Sequence, residues 1–199
     1  MDRVRVDKKD HVHPDDSEIL GGSTHSLMIS SGKSKRISHS TCNAETNAGY
    51  KVNQSAQFIA LRLTEIITCT DRQHEASDMM EIFDRSLYQI RVDHCTDCMD
   101  FWQLCCGVKG VPSDKSSRLA VLSMREERLS GRIRNFIHLP TDVVIVDGLT
   151  KTGTFKLLME HMTTGTWNIR PPKGKVITMR RILDTKDSYS EQDLLDLDA

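Results

Sequence analysis

Four acidic residues in four separate segments are the part of this sequence best suited to chemistry. Asp147 lies in the largely apolar run 142–150, and a carboxylate buried without a partner is costly. Asp7, Glu45 and Asp97 lie in three other short segments. If the four side chains converged, they would raise each other's pKa values, and divalent cations would relieve the repulsion. Oxygen ligands favour Mg²⁺ over zinc, and Mn²⁺ can substitute.

A pair of ions held in this way suits the cleavage of phosphodiesters. Two metals roughly 3.5–4 Å apart hold the attacking water and the leaving oxygen of one phosphate. Each acid also has a simpler interpretation, which the sequence leaves open. Asp7 could be a solvated loop residue, Glu45 an acid placed by the dipole at the start of a helix, and Asp97 the N-cap of the helix that follows it.

Composition bounds the class of protein. The 199 residues predict one domain, or one domain with tails. A net charge of −1 argues against a highly basic nucleic-acid coat but is compatible with a local basic face. We expect no membrane span and no secretory signal. The six cysteines are therefore interpreted as reduced thiols of an intracellular protein, cytoplasmic or nuclear. The pair Cys95 and Cys98 lacks the second pair that a zinc site requires.

Hydrophobic periodicity predicts an α/β protein with a mixed sheet. Its N-terminal part is predicted to contain a short strand within 1–7 and an antiparallel hairpin of strands 23–30 and 35–39. A long helix follows at 41–67, with an apolar stripe at Ala44, Ala48, Val52, Ala56, Ile59, Leu63 and Ile66. Asn43 is the predicted N-cap, with Ser40 and Thr41 as competitors, so that Glu45 falls in the first turn.

The second half alternates predicted helices and strands. The predicted elements are a helix at 75–86, a strand at 87–95, helices at 99–106 and 116–131, a last strand at 136–139, and helical segments at 143–150 and 155–163. Polar residues follow from Pro171, and the acidic end is predicted to be a loose tail. The tryptophans Trp102 and Trp167 are expected to pack in the core.

Three segments carry a resemblance to a known family. They are His39-Ser40-Thr41-Cys42-Asn43-Ala44-Glu45-Thr46, Thr96-Asp97-Cys98, and the pair Phe136-Ile137-His138-Leu139-Pro140-Thr141-Asp142 and Val146-Asp147-Gly148-Leu149-Thr150-Lys151. Together they resemble the RNase H domain of copia-type retrotransposon Pol polyproteins, where RNase H accompanies a reverse transcriptase. Gly21-Gly22 and the predicted hairpin resemble the second and third strands of that domain. The resemblance covers roughly residues 1–167 and leaves 168–199 as a tail.

The resemblance implies an RNase H-like fold and an endonuclease that hydrolyses the RNA strand of RNA–DNA hybrids. It implies that Asp7, Glu45, Asp97 and Asp147 are catalytic and bind two Mg²⁺ ions. The 2′-hydroxyls would distinguish RNA from DNA. Basic residues of the hairpin and the third motif, Lys33, Lys35, Arg36 and Lys151, are candidates for contacts with phosphates, although a solvated charged face is the alternative. Oligomeric state is not predicted.

The match around Asp7 is poor. The family has Asp followed by a small residue and Ser, whereas Lys8 and Lys9 follow here, and Asp10 is a rival. Milder departures are Val146 for Ala and Cys98 for Ser. Because the chain begins at the predicted first strand, we expect a fragment or domesticated remnant without a reverse transcriptase domain. A catalytically degenerate RNase H-like fold that binds nucleic acid or protein is the alternative function, and an unrelated α/β interaction protein is a third.

Overall fold

The computed structural model shows a mixed α/β protein. It describes residues 4–5, 21–28, 40–68, 75–149, 153, 155–169 and 177–181. In these residues five α-helices occur: α1 (Thr41–Thr68), α2 (Ala76–Asp84), α3 (Met99–Cys105), α4 (Lys115–Leu129) and α5 (Phe155–Thr164). None of the helices in the described part of the chain is long and apolar enough to cross a membrane.

Six short strands form two sheets. They are β1 (Val4–Arg5), β2 (Gly21–Ser23), β3 (Val92–Thr96), β4 (Ile133–His138), β5 (Thr166–Asn168) and β6 (Thr178–Arg181). One sheet has the order β1-β6-β4-β3, and the other pairs β2 with β5. β1 is antiparallel to β6, with Val4 opposite Met179. β2 is antiparallel to β5, with Gly22 opposite Trp167.

β3 and β4 run parallel. The Arg134 guanidinium binds the Asp93 carboxylate, and the His138 ring binds the Asp97 carbonyl oxygen, so the partners are 41 residues apart at both points. A constant separation means that the two strands advance in the same direction. α3 and α4 lie between them in the sequence, as the crossover of a parallel pair requires.

Several predicted strands need correction. In the described part of the predicted strand 23–30, which is 23–28, only Ser23 is in a strand, and residues 24–28 have no regular structure. β2 pairs with β5 from the other end of the chain. The predicted partner strand, 35–39, lies outside the described residues. The strand predicted at 87–95 begins only at Val92.

The C-terminal part also differs from the prediction. The strand predicted to be the last, 136–139, is β4 and is followed by β5 and β6. The division into a domain of 1–167 and a tail of 168–199 stays a prediction, although regular structure continues beyond residue 167. Ile169 and Ile177 are buried, and β6 follows directly.

Two compact units are distinguished in the chain. The first, here called the β2–α5 unit, takes its described residues from 1–37, 95–97 and 138–179. The second, here called the α1–α4 unit, takes them from 38–94, 98–137 and 180–199. Glu45 belongs to the α1–α4 unit, and Asp97 and Asp147 belong to the β2–α5 unit.

The start of α1 is fixed by a serine cap. The Asn43 N–H donates to Oγ of Ser40 at 3.1 Å, which satisfies one of the free amide groups at the start of the helix. The predicted N-cap Asn43 is therefore wrong, and its competitor Ser40 holds the position. Since the cap is Ser40 and not Asn43, Glu45 lies beyond the first turn.

The position of α1 in the sequence was predicted correctly, but the prediction of its buried face was wrong. The residues of α1 that the structure buries are Thr46, Asn53, Gln57, Ala60 and Thr64. Val52 and Ile66 of the predicted apolar stripe are 57% and 70% exposed. The reason is a carboxylate on α4, Glu127, whose Oε2 accepts hydrogen bonds from the side-chain amides of Asn53 and Gln57.

Aromatic rings fill the core of the α1–α4 unit. Its buried cluster consists of Phe101, Trp102, Cys105, Cys106, Met124, Ile133 and Phe136. Nε1 of Trp102 donates to the Phe136 carbonyl at 2.9 Å, which confirms Trp102 as a core residue. The His94 ring stacks on Phe136 with centroids 4.6 Å apart and meets Phe101 edge to face. Complete burial lowers the pKa of His94 to about 4.

We predict that Gly49→Ala destabilises the protein. A Cβ on Gly49 would lie 2.5 Å from two ring atoms of Phe101, and this ring cannot move freely because it packs in the core. Overpacking costs roughly 1–3 kcal/mol, which exceeds the gain of about 1 kcal/mol from replacing a helical glycine. Chemical denaturation measures the difference. Gly110→Ala is the control, because a Cβ there meets nothing within 4 Å, and an equally stable Gly49→Ala would contradict the packing.

We predict that protonation of His94 lowers the free energy of unfolding as the pH falls from about 6.5 to about 4. Its pKa is about 4 in the folded chain and 6.5 in the unfolded chain, so the unfolded state binds more protons in this window. The neutral ring makes its full contribution to the free energy of unfolding above pH 6.5. This contribution, about 3 kcal/mol, is lost as the pH falls toward 4. Urea unfolding at several pH values should show a shallower slope for His94→Phe. The same change at the exposed His25 should leave the slope unaltered.

Candidate functional site

Asp97 lies directly after the carboxyl end of β3 and is half-buried. Its Oδ2 accepts a hydrogen bond from the Thr141 hydroxyl at 3.2 Å. Its backbone carbonyl oxygen lies 3.1 Å from Nε2 of His138. Cys98, not Asp97, is the N-cap of α3, so the interpretation of Asp97 as a helix cap is wrong. The carboxylate is therefore held at a strand end by side-chain contacts.

Asp147 lies on a 3₁₀ helix. Two such helices, Thr141–Val143 and Ile145–Leu149, replace the predicted helix 143–150. Asp147 is half-buried, while its neighbour Val146 is 62% exposed. The tight 3₁₀ turns therefore place part of this apolar run at the surface, while Asp147 itself is partly buried.

The segment that carries Asp147 is anchored by tryptophan. Nε1 of Trp167 on β5 donates to the Val143 carbonyl oxygen at 2.8 Å. α5 packs against the second 3₁₀ helix. Trp167 is half-buried and so serves in packing, as predicted. These contacts fix the chain between Thr141, which binds Asp97, and Asp147.

Glu45 lies in the α1–α4 unit and is half-buried on α1. The pKa of the Cys98 thiol is raised, chiefly by burial, and the negative charge of Glu45 raises it further. The carboxylate of Glu45 is thus close enough to act on the side chain at the start of α3. Cys98 is the residue that follows Asp97 in the sequence.

The remaining predicted site residues cannot be placed. Asp7, Lys35, Arg36 and Lys151 all lie outside the described residues, as does Lys33. Within the described residues, no group of three or more His, Cys, Asp or Glu side chains could hold a metal ion. Carboxylates are the right ligands for Mg²⁺, but the described acids do not by themselves form a metal site, so no catalytic step is derived through metal ions.

One polar cluster in the β2–α5 unit was not predicted from the sequence. Ser26 Oγ lies 2.8 Å from Nε2 of His161, which is buried on α5. The two residues are 135 positions apart and belong to no recognisable motif. Only the pairing of β2 with β5 brings their segments together. The position of His161 after a helical apolar run was the available signal, and it does not identify a partner.

Comparisons with known proteins give no further assignment. This chain matches no protein-family model, no curated protein and no solved structure. The RNase H interpretation therefore stays a prediction.

Proposed function

We propose that this chain is a retroelement-derived RNase H-type endonuclease that cleaves the RNA strand of RNA–DNA hybrids. The observation that carries the proposal is the hydrogen bond from Thr141 to Asp97. It joins two segments of the resemblance, Thr96-Asp97-Cys98 and Pro140-Thr141-Asp142, that are far apart in the sequence. In an RNase H-like fold, the segment that carries the third acid must lie next to the segment that carries the fourth.

The sheet supports the proposal further. Asp97 follows the carboxyl end of β3, which runs parallel to β4, and ligands commonly bind outside the carboxyl ends of such strands. Residues 133–138 of β4 lead directly into the segment of Thr141. Asp97 and the start of the segment that leads to Asp147 therefore meet at one end of a parallel strand pair.

In the proposed site, Asp7, Glu45, Asp97 and Asp147 would hold Mg²⁺. The bound ions would activate water and stabilise the leaving oxygen. The chain itself contributes the orientation of Asp97, because the Thr141 hydroxyl restrains one carboxylate oxygen. Lys35, Arg36 and Lys151 are the proposed contacts with hybrid phosphates.

A catalytically degenerate RNase H-like fold that binds nucleic acid or protein is the second candidate. The specific observation in its favour is the sequence after Asp7, where Lys8 and Lys9 replace the small residue and Ser of the family. Two lysines directly after Asp7 in the sequence add positive charge next to the first candidate metal ligand. Loss of the first acid would leave the fold in place and remove cleavage.

We predict that Asp97→Asn and Asp147→Asn each abolish cleavage of an RNA–DNA hybrid while the protein remains folded. Asn keeps the size of the side chain and removes its charge, so a role in holding cations is lost. A gel assay with a labelled RNA strand and Mg²⁺ measures cleavage. Asp100→Asn is the matched control, since Asp100 is exposed on α3 and pairs with Lys109 at 2.5 Å. Unchanged cleavage in both site variants would refute the assignment.

A binding assay with the RNA–DNA hybrid distinguishes the two candidate functions. The wild-type chain should bind the hybrid in a fluorescence anisotropy titration and also cleave it. Binding without cleavage would support the degenerate fold, and failure of both would favour the unrelated α/β interaction protein. Duplex DNA of the same sequence is the control ligand, because only the hybrid presents 2′-hydroxyls.

We predict that Mg²⁺ or Mn²⁺ raises the melting temperature. A cation that binds only the folded chain stabilises it by about 1.4 kcal/mol at ten times its Kd, which corresponds to roughly 3–5 °C for a chain of this size. Differential scanning fluorimetry at constant ionic strength measures the shift. The double variant Asp97→Asn/Asp147→Asn should lose it, and a wild-type curve indifferent to both ions would contradict cation binding.

A further inference from the structure

Ser26 and His161 form a hydrogen-bonded pair that has no part in the proposed nuclease. Ser26 Oγ is 2.8 Å from Nε2 of His161. On the other side of the ring, Nδ1 lies 3.2 Å from the Thr166 carbonyl oxygen and 3.2 Å from Oγ1 of Thr24. The histidine is 7% exposed, whereas Ser26 is exposed to solvent.

The partners of the ring determine where its proton lies. A carbonyl oxygen can only accept, so the contact with Thr166 requires that Nδ1 carries the proton. In the neutral ring Nε2 then has a lone pair, and the Ser26 hydroxyl must donate to it. This is the arrangement in which a histidine can take the proton of a serine as the serine attacks.

The surrounding backbone holds both residues in place. β2 and β5 pair with Ser23 opposite Thr166, and the Thr24 N–H donates to the Gly165 carbonyl at 2.7 Å, which extends the ladder toward Ser26. Gly165 adopts φ +65°, a conformation that favours glycine, and it ends α5 so that the chain turns directly into β5. The Thr166 carbonyl thereby reaches the ring of His161 from the following strand.

The Thr166 carbonyl holds the Nδ1 proton of His161, in the position that a carboxylate occupies in a catalytic triad. The ring is thereby oriented with Nε2 toward the Ser26 hydroxyl.

We propose that Ser26 and His161 are a nucleophile–base pair that hydrolyses carboxylic esters. Ser26 Oγ bonds to the ester carbonyl carbon while its proton passes to Nε2 of His161. The bond to the alcohol oxygen then breaks, and the alcohol leaves with that proton. Water attacks the acylated serine, gives its proton to His161 and releases the carboxylic acid, and the serine hydroxyl is restored.

The residues beside Ser26 indicate the acyl group. Leu27 and Met28 follow it in the sequence and are 61% and 55% exposed. Apolar side chains this close to an exposed nucleophile would contact a short aliphatic acyl chain rather than a charged one. A butyryl ester is therefore the substrate class that the surface fits best.

The pair is tested with p-nitrophenyl butyrate and a fluorophosphonate. The wild-type chain should release nitrophenol, and the fluorophosphonate should form a Ser26 Oγ–P bond with loss of fluoride, seen as a mass increase on the Ser26 peptide. Ser26→Ala should lower kcat/KM by about 10²-fold or more, since general-base catalysis contributes this much. His161→Gln should lower it similarly while the circular dichroism spectrum is kept.

Ser23→Ala is the matched control, because Ser23 is an exposed serine of the same segment that does not contact His161. It should retain both ester hydrolysis and labelling. Equal hydrolysis by wild type and Ser26→Ala, or phosphonate mass on other residues only, would overturn the proposal. Asp100→Asn, at an exposed residue of α3, should also retain ester hydrolysis. Ester hydrolysis and hybrid cleavage are measured in separate assays, so failure of one proposal is distinguishable from failure of the other.

Discussion

The packing of α1 in the α1–α4 unit depends on the hydrogen bonds that one carboxylate accepts. Glu127 of α4 accepts hydrogen bonds from Asn53 and Gln57 of α1 at one oxygen. Burial raises the pKa of Glu127, and the two amides and the charge of Arg132 oppose that rise. A half-buried carboxylate without these donors would be costly, so the contact selects the face of α1 that turns toward α4.

This selection has consequences along the whole of α1. Asn53, Gln57, Ala60 and Thr64 follow one another on one face, and the last of them accepts from the Gln89 N–H at 3.0 Å. On the same helix, Gly49 allows close approach to the Phe101 ring. Several large apolar residues of α1 face solvent as a result. Val52, Phe58, Ile66 and Ile67 are all more than half exposed.

The sequence predicted helices better than strands, and the reason lies in the range of the interactions. Capping and apolar spacing are local, so all five described helices were predicted within a few residues of their ends. β5 and β6 contain only three and four residues, and β5 pairs with a strand from the other end of the chain. The face of α1 was missed for the same reason, since the amide partners of Glu127 are distant in sequence.

Of the candidate site, the position of Asp97 at a strand end was predictable, but its partner was not. The register of β3 against β4 is fixed by Asp93, which binds the Arg134 guanidinium through Nε at 3.0 Å and accepts from Asn135 at 2.7 Å. Charged bidentate bonds of this kind are specific in geometry. A shift of one residue would turn the side chains of β3 to opposite faces, so Asp93 sets which side chains of β3 face the core.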